Sequence, residues 1–155
     1  MTTRRDFLVL ACGAFASAAD AQLPPNIAAL RKSALQEAVR KITGGATVRP
    51  GRVKLEVPPL IDNGNSVPVS VTVESPMTPA DHVMAIHVFT EKNPQPYVVS
   101  AHFGPRAGRA RITTRARIAD SGTVLAIAQM NDGSFWSDRV EVVVTLSACL
   151  EDGLI

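Results

Sequence analysis

From Arg52 onward the hydrophobic residues recur with a period of two, and this alternation restricts most of the chain to strands. Val53, Leu55 and Val57 alternate with Lys54 and Glu56; Val67, Val69, Val71 and Val73 alternate with Pro68, Ser70 and Thr72. Successive side chains of a strand point to opposite faces, so each run has one buried and one wet side. Tyr97, Val99, Ala101 and Phe103 form a third run, Ala110 to Ile118 a fourth, and Val140, Val142, Val144 and Leu146 the last. The stretches from His82 to Thr90 and from Thr123 to Met130 are apolar on both faces, as central strands are. Turn residues separate the runs: Asp62-Asn63-Gly64, Ser75-Pro76, Asn93-Pro94, Ser121-Gly122 and Asn131-Asp132-Gly133. Seven short strands with no helix between them predict an all-β fold, an immunoglobulin-like antiparallel β-sandwich. Pro68 lacks a ladder donor, which predicts an edge strand or a bulge at that position.

Ahead of the strands the period is helical. Ile27, Leu30, Ala34, Leu35, Ala38 and Ile42 fall on one face, with Arg31, Lys32, Gln36, Arg40 and Lys41 on the others. Asn26 is placed to cap the start and Gly44-Gly45 to end the helix. Packing against the sandwich suits this face better than lying on a membrane, because the polar face is short.

The first residues read as an export signal. Arg4-Arg5 precedes an apolar run from Phe7 to Ala19, and Ala19-Asp20-Ala21 offers the small residues of a cleavage site. Thr3-Arg4-Arg5-Asp6-Phe7-Leu8 is similar to the twin-arginine motif. The apolar run is shorter than the roughly 20 residues a membrane span needs. The expected organisation is a cleaved signal over residues 1–21, a helix and linker over 22–50, the sandwich over 51–147 and a C-terminal arm over 148–155. The expected location is the periplasm.

Sixteen Lys and Arg against fourteen Asp and Glu leave a formal charge of +2, too little for an electrostatic nucleic-acid binder. Phosphate loops, nucleophile elbows and dinucleotide fingerprints are absent from the sequence. Of the three histidines, His82 and His87 have opposite strand parity, which argues against a shared metal, and no metal or cofactor is expected. Arg109, Arg111, Arg115 and Arg117 share odd parity, so a regular strand presents all four on one face. Their planar forks suit an acidic partner surface or a sulfur oxyanion; they equally suit a solvated face that protects a sheet edge.

Cleavage after Ala21 removes Cys12 and leaves Cys149 as the sole cysteine. In an oxidising compartment, an unpaired thiol points to intermolecular pairing or to reactivity. Glu151 and Asp152 beside it favour the neutral thiol, so nothing local activates it as a nucleophile. A thiol presented by one protein and activated by another fits a carrier. A Cys–His pair with His87 or His102 has no support from spacing.

Three segments together resemble the SoxY family, the sulfur-carrying subunit of the bacterial sulfur-oxidation (Sox) system. They are Pro58 to Val69 (PPLIDNGNSVPV), Lys92-Asn93-Pro94-Gln95-Pro96, and Thr114 to Ala119 with Ser121 to Val124 and Ala126 to Ala128 after it. The helix, the export signal and the C-terminal cysteine fall in the expected order. The resemblance implies a periplasmic, non-enzymatic carrier with an immunoglobulin-like fold that pairs with a SoxZ-like subunit. It also implies that Cys149 holds thiosulfate or later sulfur intermediates as a covalent adduct, loaded by a Sox cytochrome and trimmed by a hydrolase. The family's cysteine is typically flanked by glycines; here its neighbours are Ser147-Ala148 and Leu150-Glu151. The alternative is an immunoglobulin-like protein-binding subunit whose cysteine forms an intermolecular disulfide.

Overall fold

The computed structural model describes residues 25–146, so the export signal, Cys12 and Cys149 lie outside the described residues. A single helix, α1 (Pro25–Thr43), precedes nine strands: β1 (Val48–Pro50), β2 (Val53–Glu56), β3 (Leu60–Ile61), β4 (Val67–Val73), β5 (Val83–Thr90), β6 (Tyr97–His102), β7 (Ala110–Ala116), β8 (Gly122–Met130) and β9 (Phe135–Val144). The larger sheet runs β1-β9-β8-β5-β6, with β3 also on β9; the smaller runs β2-β4-β7. β5 and β8 are central, as their two-sided apolar pattern predicts.

The two sheets face each other across a valine-rich core. Val67, Val69, Val71 and Val73 of β4 meet Ile86 and Val88 of β5, Val124, Ala126 and Ala128 of β8, and Val142 and Val144 of β9. β-Branched side chains fit a pleated, half-buried surface, which is why alternation in the sequence becomes layering in the fold. The outer face of the larger sheet is covered by α1: Leu35, Ala38, Val39 and Ile42 pack on Phe89, Ile127, Phe135 and Tyr97. The fold is thus a sandwich with a helix laid on one side.

Several local expectations change. α1 begins at Pro25, so Asn26 lies inside the first turn and is not its cap. Leu30 is 57% exposed; the apolar face docks only along the C-terminal half of the helix. At the helix end, Gly44 adopts φ +62° and its amide reaches the Arg40 carbonyl at 2.9 Å, the left-handed stop that glycine makes easy.

Pro68 sits in β4, the middle strand of its sheet, with no bulge recorded there; it pairs with Arg115 of β7. Its missing donor is tolerated because β2 has already ended: the last β2–β4 pair is Glu56 with Ser70. Position 68 is therefore an edge locally, within a central strand.

The strands before β4 guard the long edge of β9. β1 pairs in parallel with Phe135–Ser137, and β3 pairs in parallel with Val143–Val144. Between them β2 crosses to the other sheet, and its Leu55 amide is held by the Asp138 carboxylate at 2.9 Å. These two parallel pairings depart from a purely antiparallel sandwich, and β1 falls within the stretch read as linker. The crossing at Gly51-Arg52 is tight: Gly51 has φ +114°, a conformation that only glycine adopts readily, and a side chain there would meet Trp136. The guanidinium groups of Arg49 and Arg52 lie 6.0 and 5.7 Å from the centroid of the Trp136 ring.

Candidate functional site

Cys149, the attachment residue expected from the sequence, follows β9 in the chain, so the candidate site is the end of the sandwich at Thr145 and Leu146, the last described residues. β9 ends at Val144, and the chain is then gripped on both sides. The Thr145 amide donates to the Ile61 carbonyl at 2.9 Å, and the Thr145 hydroxyl donates to the Asp62 carbonyl at 3.1 Å. The Gly64 amide donates to the Leu146 carbonyl at 2.9 Å. Ahead of these, the Ser121 hydroxyl accepts from the Val144 amide at 2.9 Å.

The turn holding Leu146 is itself fixed by side chains. The Asn63 carboxamide oxygen accepts from the Asn65 amide at 2.9 Å, a local turn that asparagine is suited to make. The Gly64 carbonyl then accepts from the Ile118 amide at 2.8 Å, linking the turn to the end of β7. Beside it, Asn93 donates to the Arg117 carbonyl at 2.9 Å and accepts from the Ala119 amide at 2.8 Å. One asparagine thereby satisfies two backbone groups of an irregular segment that no strand pairs.

Of the predicted arginine stripe, only Arg111 and Arg115 lie within β7; Arg109 and Arg117 flank it, and all four are exposed. β7 is the edge of the smaller sheet, so the stripe lines an edge. Their partners are neutral: Arg111 reaches the Ser70 hydroxyl at 3.4 Å, and Arg115 reaches the Ser66 carbonyl at 3.2 Å. Among the described residues none of the four is paired with a carboxylate.

The histidines are dispersed. His82 precedes β5 and its Nδ1 lies 3.0 Å from the Thr78 carbonyl oxygen. His87 is buried on the helix side of β5, its Nδ1 3.1 Å from the Tyr97 hydroxyl, and the ring of His102 stands edge-on to it at 6.2 Å. Burial, followed by the neighbouring charge of His102, lowers the His87 pKa. Among the described residues no group of three or more His, Cys, Asp or Glu side chains could hold a metal ion.

In sequence, residues 39–149 match the sulfur oxidation protein SoxY, a span that includes both the sandwich and Cys149. The chain belongs to the SoxY family.

Among solved structures, the sulfur carrier protein SoxY from Chlorobium limicola f thiosulfatophilum matches with a TM-score of 0.62 at 26% identity. That match covers 74% of this chain and 98% of the other. A superoxide reductase (neelaredoxin) from Ignicoccus hospitalis matches at 22% identity with a TM-score of 0.54, covering 66% and 85% of the two chains. A putative superoxide reductase from Thermotoga maritima matches at 23% identity with a TM-score of 0.51, covering 63% and 87%. At these identities the likeness to the reductases is one of fold alone. No curated protein matches the chain in sequence.

The three segments that resemble SoxY in sequence meet at one end of the molecule. The first supplies β3 and the Asp62–Asn65 turn beneath Thr145 and Leu146. The second supplies Asn93, and the third supplies the Arg117–Ala119 backbone that Asn93 holds, together with Ser121. Each segment carries little signal alone; in space they form the mount that holds Thr145 and Leu146. Sequence reasoning singled out Cys149 and the arginines as chemistry and read Asn63, Gly64, Asn93 and Ser121 only as turn residues, without their role in holding Thr145 and Leu146. The available signal was their chemistry, since Asn, Gly and Ser are the residues that tie irregular backbone.

Beside the mount lies apolar surface. Leu60 and Val143 are paired neighbours on β3 and β9 and are 60% and 56% exposed, and Leu146 is 57% exposed. Exposed large apolar side chains grouped next to a functional segment mark a contact surface more often than chance.

Proposed function

We propose that this protein is a periplasmic carrier of the Sox system that holds sulfur intermediates as covalent adducts on Cys149. The observation that carries this reading is the SoxY family match, which extends through Cys149. The similarity to a solved sulfur carrier protein over most of both chains supports it. The mount beneath residues 145 and 146 gives the arm a fixed origin on a rigid sandwich.

In the loading step the Cys149 sulfur bonds to the outer sulfur of thiosulfate. The thiol proton is released, and two electrons pass to a cytochrome partner, leaving a cysteine S-thiosulfonate. Hydrolysis by a second partner then adds one water, releases hydrogen sulfate and leaves Cys149 as a persulfide. The carrier supplies the attachment atom, and its partners supply activation; a thiol followed by Glu151 and Asp152, with no basic residue beside it, is suited to that division, because nothing local raises its reactivity. The exposed Leu60, Val143 and Leu146 side chains are offered as part of the contact with a SoxZ-like subunit.

The test is intact-mass analysis after incubation with thiosulfate, the cytochrome partner and an electron acceptor. Wild type is expected to gain one thiosulfate-derived adduct on Cys149, and Cys149→Ser none. An adduct on the serine variant, or none on wild type with active partners, removes the proposal. A disulfide-linked dimer that exchanges with no sulfur donor would instead favour a binding subunit.

A further inference from the structure

The arginines at the end of β7 lie next to the point where the C-terminal segment leaves the fold. Arg117 adjoins Ile118, whose amide bonds to Gly64, and Gly64 in turn bonds to Leu146. Arg115 is tied to Ser66, two residues beyond Gly64. From Lys92 to Ala119 the sequence contains no Asp or Glu, so Arg106, Arg109, Arg111, Arg115 and Arg117 form a basic edge on a chain of nearly balanced charge. None of these arginines forms an ion pair among the described residues; Arg111 alone lies near a carboxylate, that of Glu56, which already pairs with Lys54. A second copy of the chain is a poor occupant, since pairing two β7 edges sets arginine against arginine.

Beyond Leu146 runs Ser147-Ala148-Cys149-Leu150-Glu151-Asp152, which brings two adjacent carboxylates. Glu151 is five residues past Leu146, a reach of at most ~18 Å at 3.6 Å per residue. That covers Arg117 and Arg115. Arg111 lies six residues before Arg117, roughly 20 Å further along an extended strand.

We propose that Glu151 and Asp152 dock on Arg115 and Arg117, holding the segment that bears Cys149 against the β7 edge. Cys149 is then tethered on both sides, by the Leu146–Gly64 bond before it and by the ion pairs after it. Tethering makes the pairing intramolecular, so weak exposed ion pairs suffice to populate it. The inference does not depend on what Cys149 carries. It adds a salt-sensitive docked state to the arm and assigns the near half of the arginine stripe to it.

The experiment is the rate of Cys149 alkylation by iodoacetamide in the full chain carrying Cys12→Ser. At low ionic strength wild type should react roughly threefold to tenfold more slowly than Glu151→Gln/Asp152→Asn or Arg115→Gln/Arg117→Gln. Combining the two pairs should give no further gain, and 0.5 M NaCl should erase the difference. Arg109→Gln/Arg111→Gln should behave as wild type. Equal rates in all variants overturn the docking. So does an unchanged rate in the Glu151/Asp152 variant with an effect in the arginine variant, which would assign the arginines to an external anion or an acidic partner. A faster rate in the Glu151/Asp152 variant alone also overturns it, because losing carboxylates near a thiol favours the thiolate without any contact to the arginines. Loading of Cys149 with thiosulfate is measured separately, so either proposal can fail alone.

Discussion

The amide of Gly64 donates to the carbonyl of Leu146 at 2.9 Å, while the carbonyl of the same glycine accepts from Ile118 at 2.8 Å. One residue therefore joins the exit of β9 to the end of β7, two strands that belong to different sheets. The chain at Leu146 is thus mounted on both layers of the sandwich at once. This end of the described chain is fixed by hydrogen bonds of a turn and not by burial of side chains, since Thr145 and Leu146 are both exposed.

The turn can be loosened without touching the core. Asn63 accepts from the Asn65 amide at 2.9 Å and from the Asn65 side chain at 3.0 Å, both at the surface. Asn63→Ala should lower global stability by only about 0.5–1.5 kcal/mol. Its larger effect should be local: the Gly64 amide should exchange with solvent faster, while amides of β5 and β8 keep their protection. Hydrogen exchange by NMR resolves the two. Uniformly faster exchange across the sandwich would show that the turn is not a separate unit.

Asn93 bears more. Replacing it with alanine leaves the Ala119 amide, part-buried, and the Arg117 carbonyl without their partners. Asn93→Ala should cost about 1–3 kcal/mol in urea unfolding. Asn93→Asp keeps the acceptor toward Ala119 but loses the donor toward Arg117, so its loss should be smaller. Equal losses in the two variants would mean that the bond to Ala119 carries no weight.

The sandwich was legible because a period of two needs no tertiary context: the alternation from Val67 to Val73 reports its buried face directly. β3 was not legible, because Leu60–Ile61 is too short to show any period, and it becomes a strand only when β9 offers its edge. Pro68 misled for a related reason, as the length of β2 decides whether a donor is needed there. Cys149 and the arginines stood out as isolated chemistry. The mount did not, because Gly64, Asn93 and Ser121 act through backbone groups whose positions are set by distant parts of the chain. Residues that bond to backbone carry little spacing signal of their own.

The helix face shows the same limit and gives a paired test. Phe89 is fully buried under α1, among Leu35, Ala38 and Ile42, whereas Leu30 is 57% exposed although it shares their periodicity. Phe89→Ala should cost about 3–5 kcal/mol, combining lost burial with the cavity left beneath the helix. Leu30→Ser should change stability by no more than about 0.5 kcal/mol in the isolated chain. A large loss for Leu30→Ser in thermal melts would mean that the whole helical face is packed in solution.

His87 should give the fold a pH dependence. Its ring is 4% exposed, Nδ1 faces the Tyr97 hydroxyl at 3.1 Å, and Nε2 meets no polar partner among the described protein atoms. Burial first, and then the nearby charge of His102, hold its pKa below the ordinary value of 6.5. In the unfolded chain the ring regains the ordinary value, so between the two pKa values the unfolded state binds more protons than the native state. Stability is therefore full above pH 6.5 and falls as pH drops through that value, levelling off below the native pKa. The steepest contribution of one such group is about 1.4 kcal/mol per pH unit. Urea unfolding between pH 7.5 and 5.0 should show the decline in wild type and a shallower one in His87→Phe, which keeps an aromatic ring in the site. Parallel slopes in the two proteins would remove His87 as the cause.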